Sequence, residues 1–127
     1  MNKLPIKKLK KIFENCPSVK LAYIFGSRAR GDADIKSDYD FAVYLDKKDS
    51  SKRFDIKLEL MRIFSDLFKT DAVDVVILND TDNPLLKFLV IKEGILLKEV
   101  EPYKLKLEPK ILNEYFDYRL MYDKVFK

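Results

Sequence analysis

The sequence predicts an α/β domain in which helices flank a small mixed β-sheet, with a further helix at the C-terminus. Apolar runs of strand length alternate with longer segments that have helical spacing. Pro and Gly residues separate most of these segments. The chain has 127 residues, of which 47% are hydrophobic, and this is enough for the core of one domain.

The first half of the chain contains two predicted helices and two predicted strands. The first helix covers residues 4–15, with lysines on the side opposite the apolar positions, and Pro17 follows it. Val19–Phe25 is a continuous apolar run, which predicts a buried strand. Residues 40–45 (DFAVYL) predict the second strand, and residues 51–69 have a long helical pattern.

The second half adds two strands and a short helix. Residues 73–78 (VDVVIL) predict the third strand. Pro84 suits the first turn of a short helix over residues 85–92, which Gly94 caps at its end. Residues 95–98 predict a brief fourth strand, so helices and strands alternate along the chain.

Beyond residue 100, Pro102 and Pro109 predict a connector, and a last helix then covers residues 110–126. We therefore divide the chain into residues 1–100 and residues 101–127, the second being part of the same domain or a partner-binding segment. One apolar stripe of this helix is expected to close the core, and the other to contact a partner protein or a second copy of the chain. The two stripes are Leu112, Phe116 and Leu120, and Ile111, Tyr115, Tyr118 and Tyr122.

The composition excludes several classes of function. The chain contains no histidine, which removes catalytic triads and every metal site that needs imidazole. Its single cysteine, Cys16, allows no internal disulfide and no zinc cluster. No apolar run approaches the roughly 18 residues that span a bilayer, so a cytoplasmic protein is expected. The net charge of +4 is modest and the basic residues are dispersed, so nucleic-acid binding is not predicted.

Three aspartates form the most informative pattern. Asp38 and Asp40 are two residues apart at the start of a predicted strand, so their side chains project from the same face. Asp74 is the one charged residue in the apolar run 73–78, where a lone charge is costly unless it is paired or bound to a metal. If the two strands are neighbours, three carboxylates converge. Like charges this close favour a divalent cation that takes oxygen ligands, namely Mg²⁺, Mn²⁺ or Ca²⁺.

A glycine-containing turn supplies features that suit a phosphate group. Gly26 ends a predicted strand and lets the backbone approach an anion closely. Ser27 is expected to cap a short helix, and its hydroxyl can donate to a phosphate oxygen. Arg28 and Arg30 are candidate phosphate ligands, or else surface or partner contacts. Carboxylates beside such a turn are what metal-assisted phosphoryl or nucleotidyl transfer requires.

The same residues resemble a known signature. Gly26 and the following serine, ten further residues, and then the D-Y-D of residues 38–40 are similar to the G-S-x10-D-x-D signature of the DNA polymerase beta nucleotidyltransferase superfamily. The string GSRARGDADIKSDYDFAVYL resembles the minimal nucleotidyltransferase (MNT) branch, the antitoxin partners of HEPN-domain toxins. The resemblance extends over about residues 19–97, with Asp74 as the third family carboxylate and IKEGILL as the closing strand.

This resemblance implies a polymerase-beta-like fold and an adenylyltransferase that uses ATP and two Mg²⁺ ions. It implies transfer of AMP to a tyrosine of a HEPN toxin, which neutralises the toxin. The implied catalytic and metal-binding residues are Asp38, Asp40 and Asp74, with Asp74 as candidate base, and the nucleotide-binding residues are Gly26, Ser27, Arg28 and Arg30.

Two alternatives remain open at this point. A non-catalytic antitoxin would neutralise its toxin by binding and occlusion alone, although the intact set of three aspartates argues against it. Nucleotidyl transfer to a small molecule also suits the motif, but enzymes of that kind carry a further substrate domain for which 127 residues leave no room. A homo-oligomer is compatible with either reading.

Overall fold

The computed structural model describes residues 4–127, and these residues form five helices and four strands. In chain order, the elements are α1 Ile6–Glu14, β1 Val19–Phe25, α2 Ser27–Arg30, β2 Tyr39–Leu45, α3 Ser50–Phe68, β3 Val73–Ile77, α4 Pro84–Glu93, β4 Ile95–Glu99 and α5 Tyr103–Phe126. The predicted fold class, a small mixed sheet flanked by helices with a further helix at the C-terminus, is confirmed. Within the described part of the chain, no helix combines the length and the apolar character needed to cross a bilayer.

The four strands form one mixed sheet in the order β3-β2-β1-β4. β1 is antiparallel to both β2 and β4, whereas β2 and β3 are parallel. Parallel neighbours need a long crossover connection, and α3 supplies it between β2 and β3. This arrangement leaves β3 and β4 as the edge strands.

The two faces of the sheet have separate cores. On one face, α1 and α3 pack against the sheet, and the Phe41 and Phe64 rings stack at 4.1 Å beside Phe13. On the other face, α4 and the first turns of α5 cover a second cluster that includes Tyr23 and Val90. Because successive strand residues alternate between these faces, the apolar runs of β1 and β2 serve both cores.

The C-terminal helix begins at Tyr103 rather than near residue 110, so the predicted connector around Pro109 is wrong. Proline is unfavourable inside a helix because it lacks an N–H group and crowds the preceding turn. Tertiary contacts outweigh this cost here. Tyr103 packs against the second core cluster, and Glu108 accepts a hydrogen bond of 2.7 Å from the hydroxyl of Tyr23.

Gly94 ends α4 as predicted, but for a different physical reason. Its φ of −71° is not left-handed, and its N–H group donates to the carbonyl of Val90 at 2.9 Å. A Cβ atom at this position would lie 2.2 Å from the same carbonyl oxygen. The glycine therefore allows a close approach of two backbone segments.

Candidate active site

Gly26 joins β1 to α2 and brings this turn directly against Asp40. Its φ of +76° is one that favours glycine, and a Cβ atom here would lie 2.6 Å from Oδ2 of Asp40. Its carbonyl accepts hydrogen bonds from the N–H groups of Ala29 and Arg30, at 3.1 and 3.0 Å. Any other residue at position 26 would strain the backbone and displace the Asp40 carboxylate.

Ser27 is the first residue of α2, and the prediction that it caps this helix is wrong. Gly26 occupies the capping position, and α2 has no side-chain capping hydrogen bond. Because Gly26 adopts a positive φ, the chain turns at residue 26, and the helix begins one residue earlier than a Ser27 cap would require. Ser27 is nevertheless half-buried in the turn, beside the first N–H groups of α2, which have no acceptor within the helix.

The sheet register brings the aspartates together. Asp40 on β2 pairs with Phe25 at the end of β1 and with Asp74 on β3. Asp38 lies two residues earlier, immediately before β2, so its side chain follows the same alternation as that of Asp40. The three positions therefore lie at one end of two adjacent strands, beside the Gly26 turn.

Asp74 is exposed, so the prediction that its charge must be compensated inside an apolar strand is wrong. Its neighbours Val73, Val75 and Ile77 are buried on the opposite face of the sheet. Because β3 is an edge strand, the side that carries Asp74 remains open to solvent. Water alone suffices to solvate this carboxylate, which leaves it available for chemistry.

Electrostatic repulsion acts on the half-buried Asp40. Burial raises the pKa of its carboxyl group, and the nearby charges of Asp38 and Asp74 raise it further, while Arg30 opposes them. Among residues 4–127, no group of three acidic or cysteine side chains is arranged closely enough to hold a metal ion. The donor set of Asp38, Asp40 and Asp74 consists of carboxylate oxygens, whose chemistry fits a hard divalent cation such as Mg²⁺.

Arg30 connects the turn to the end of α4. Its side chain is exposed and donates to Glu93 at 2.9 Å and to Asp32 at 3.1 Å. The positive charge of Arg30 opposes the rise in the pKa of Asp40. Sequence reasoning missed Glu93, because nothing local connects it to a turn more than sixty residues earlier.

Arg28 contacts its own chain. One of its terminal nitrogens donates to the carbonyl of Ser37 at 2.9 Å, and its guanidinium lies 4.2 Å from the centre of the Tyr39 ring. Tyr39 in turn stacks on Phe68 of α3 at 3.8 Å. Arg28 therefore braces the segment that leads into Asp38. The sequence did contain a signal for this contact. Tyr39 lies between Asp38 and Asp40, so strand alternation turns its ring to the face of the sheet opposite the two carboxylates.

A cavity of about 810 Å³ lies behind this segment, on the side away from the carboxylates. Arg28, Ile35, Tyr39, Phe68 and Lys69 are among the residues that line it. The carboxylates themselves lie at the open end of the sheet and not in this cavity.

Three solved structures are similar to almost the whole chain. A toxin–antitoxin complex with AMP-PNP has a TM-score of 0.76 and 24% identity, covering 96% of this chain and 95% of that chain. A mutant MntA–HpeT toxin–antitoxin complex has a TM-score of 0.74 and 23% identity, covering 98% and 95%. The MNT antitoxin in complex with the tri-AMPylated HEPN toxin of Shewanella oneidensis has a TM-score of 0.68 and 20% identity, covering 94% of each chain. At these identities the likeness shows a shared fold, including α5.

No protein with a curated function matches the sequence. The family model described as polymerase beta, nucleotidyltransferase matches residues 7–102, which is more than half of the chain. The matched region contains the Gly26 turn, both carboxylate-bearing strands and the whole sheet. This chain therefore belongs to the polymerase beta nucleotidyltransferase family.

Proposed function

We propose that this chain is an antitoxin that transfers AMP from ATP to a tyrosine of a HEPN-domain toxin in the cytoplasm. The observation that carries the proposal is the pairing of Asp40 with Asp74, directly beside the Gly26 turn. Further support comes from the similar structures, which are toxin–antitoxin complexes, one containing AMP-PNP and one a tri-AMPylated HEPN toxin. Membership of a nucleotidyltransferase family supports the reaction class.

Asp38, Asp40 and Asp74 are the residues that would hold two Mg²⁺ ions, with Asp74 a ligand of one of them. Burial is the main cause of the raised pKa of Asp40, and the charges of Asp38 and Asp74 raise it further; a divalent cation would offset this negative charge. When bound, the ions would neutralise the triphosphate and lower the pKa of the attacking hydroxyl.

The turn supplies the groups for the triphosphate. Gly26 leaves room for a phosphate close to the backbone, because it has no side chain. The hydroxyl of Ser27 and the first N–H groups of α2 can donate to phosphate oxygens. Arg30 is exposed, and a phosphate would compete with Asp32 and Glu93 for its guanidinium.

The reaction itself is a displacement at the α-phosphorus of ATP. The hydroxyl oxygen of the acceptor tyrosine attacks this phosphorus, and the bond to the bridging oxygen of the β-phosphate breaks. Pyrophosphate leaves, and a phosphodiester joins AMP to the tyrosine. We assign the exposed carboxylate of Asp74 as the base that accepts the hydroxyl proton.

Labelled ATP tests this proposal with the chain and its co-purified HEPN toxin. Wild-type chain is expected to incorporate AMP into the toxin, and Asp38→Ala/Asp40→Ala to lose at least about 10²-fold in rate. The matched control, Asp71→Ala/Asp82→Ala, removes two exposed carboxylates outside the site and is expected to retain the rate. Absence of transfer by the wild type, or equal transfer by Asp38→Ala/Asp40→Ala, contradicts the proposal.

Occlusion without catalysis is the second candidate, and the exposed apolar end of α5 favours it as a binding surface. Co-expression with the toxin separates the two. If Asp38→Ala/Asp40→Ala protects cells as well as the wild type does, binding suffices. If it fails to protect although it still binds, transfer is required.

A further inference from the structure

The last eleven residues of α5, here called the distal segment (residues 116–126), expose an unusual amount of apolar surface. Their large apolar side chains are between 37% and 70% exposed. The other large apolar side chains that the described residues expose are single or paired: Ile35, Phe54, Leu58, Leu85 and Leu105. The seven exposed apolar residues of the distal segment are Phe116, Tyr118, Leu120, Met121, Tyr122, Val125 and Phe126.

The domain holds α5 by residues that precede the distal segment. Ile111 is the buried residue of this helix, and Lys87 of α4 forms an ion pair with Glu114 at 2.6 Å. Phe88 stacks on Tyr115 at 3.8 Å. The aromatic contacts of the distal segment, by contrast, run along the helix itself, as between the Tyr118–Tyr122 and Tyr122–Phe126 rings.

An apolar seam continues from the anchored part of α5 into the distal segment. Ile111, Tyr115, Tyr118, Tyr122 and Val125 alternate at spacings of four and three residues, which places them on one side of a helix. The first two pack inside the domain, and the last three continue the same line beyond it. A seam with this spacing is suited to receive a helix of another protein.

The exposed surface on the seam side of the distal segment is large enough for the central part of a specific interface. Large side chains carry about 150–250 Å² each, so the five exposed residues on or beside the seam leave roughly 500 Å² for a partner, while Phe116 and Leu120 project from the other side of the helix. One partner of a standard protein interface contributes about 800 Å² in total, so the seam would supply more than half of it. Tyrosine and other aromatic residues are also enriched at such interfaces.

The distal segment belongs to the helix that covers the carboxylate-bearing face of the sheet. Tyr23 pairs with Ala42 across β1 and β2, and Ala42 lies two residues after Asp40, so Tyr23 and Asp40 share a face. The hydroxyl of Tyr23 binds Glu108 of α5. A protein bound to the distal segment is therefore bound to a helix on the same face of the sheet as the carboxylates. A protein that accepts AMP must reach this face.

We propose that the distal segment of α5 is the docking surface for the HEPN toxin, and that a helix of the toxin packs along the Tyr118–Val125 seam. The inference rests on the proposed function for the identity of the partner. It assigns the binding of the protein acceptor to a surface separate from the nucleotide site.

Two arginine substitutions in the full-length chain test this docking surface. Tyr122→Arg/Val125→Arg places charge on the seam while keeping residues that favour a helix C-terminus. Affinity for the HEPN toxin, measured by calorimetry, is expected to fall on the order of 100-fold, because two central contacts are lost. Binding of an ATP analogue is expected to stay unchanged. The matched control, Phe54→Arg/Leu58→Arg, alters two exposed apolar residues of α3 on the other side of the sheet and is expected to preserve toxin affinity.

Unchanged affinity of Tyr122→Arg/Val125→Arg for the toxin overturns the inference. A second outcome also overturns it: light scattering shows that the wild-type chain is a dimer, and the substitutions dissociate this dimer without weakening toxin binding. Absence of AMP transfer by a wild-type chain that still binds the toxin through this seam contradicts only the proposed transfer reaction. Circular dichroism of both variants verifies that α5 remains helical.

Discussion

Among the single residues of the site, Asp40 is the one on which burial and like charge act in the same direction. Both effects raise the pKa of its carboxyl group, and the positive charge of Arg30 opposes them. The ionised form of Asp40 is therefore less stable in the folded chain than in the unfolded one. Keeping three carboxylates at one end of the sheet therefore lowers the stability of the fold, which is common where residues serve function rather than stability.

Asp40→Asn should abolish AMP transfer and at the same time stabilise the fold. Because the folded pKa of Asp40 lies above its unfolded value, the stability of the wild type falls as pH rises through that raised pKa. The variant should therefore unfold at a higher temperature than the wild type at neutral pH. This difference in melting temperature should disappear as the pH falls below the raised pKa of Asp40. Thermal unfolding at several pH values measures it. A lower melting temperature for the variant at pH 7 contradicts the prediction.

At the scale of elements, α5 depends on one polar contact with the centre of the sheet. Burial and the adjacent Glu108 carboxylate raise the pKa of Tyr23 far above its ordinary value, so its hydroxyl keeps its proton and donates to Glu108. The contact secures the helix one residue before Pro109, where the helical hydrogen-bond pattern is interrupted.

Tyr23→Phe should lower the free energy of unfolding by about 1–2 kcal/mol, because it removes this hydrogen bond to a charged partner. Urea unfolding measures the loss, and hydrogen exchange should show faster opening of the first turns of α5. Tyr44→Phe is the matched control, since the hydroxyl of Tyr44 forms no hydrogen bond within residues 4–127 while its ring packs beside Tyr103. Equal losses in the two variants would show that the contact to Glu108 is not the cause.

For the whole molecule, the structure divides α5 into a part that completes the domain and a part that extends from it. Ile111 is 1% exposed and belongs to the interior, whereas Phe126 is 70% exposed. The boundary between these parts follows Tyr115, which stacks on α4.

Two truncations locate this boundary. A chain ending at residue 116 should fold with nearly wild-type stability, because it retains Ile111, Glu114 and Tyr115 and their contacts. A chain ending at residue 109 should lose at least about 2–5 kcal/mol, the usual cost of removing a buried Ile side chain. Denaturant unfolding of both chains measures this. If the longer chain also fails to fold, the distal segment is part of the core and not a separate surface.

The sequence alone determined the four strands, the helices up to α4, and the three aspartates and the Gly26 turn that lie together in the candidate site. Continuous apolar runs predicted β1 and β3 to within one residue at either end, because burial of most strand residues requires apolar side chains at consecutive positions. The spacing of Asp38 and Asp40 predicted their shared face, and the pairing of β2 with β3 brought Asp74 beside them. The roles of these residues as ligands and base stay predictions.

Only the tertiary structure decided the details that depend on contacts distant in the sequence. Pro109 lies inside a helix because Tyr103 and Glu108 are fixed by the sheet. Asp74 is exposed because β3 is an edge strand, which its own sequence does not reveal. Arg28 reaches Ser37 and Tyr39 because the turn folds back on the following segment. Local propensities are worth about 1 kcal/mol or less for most residues and about 3 kcal/mol for proline, so several tertiary contacts together can override them.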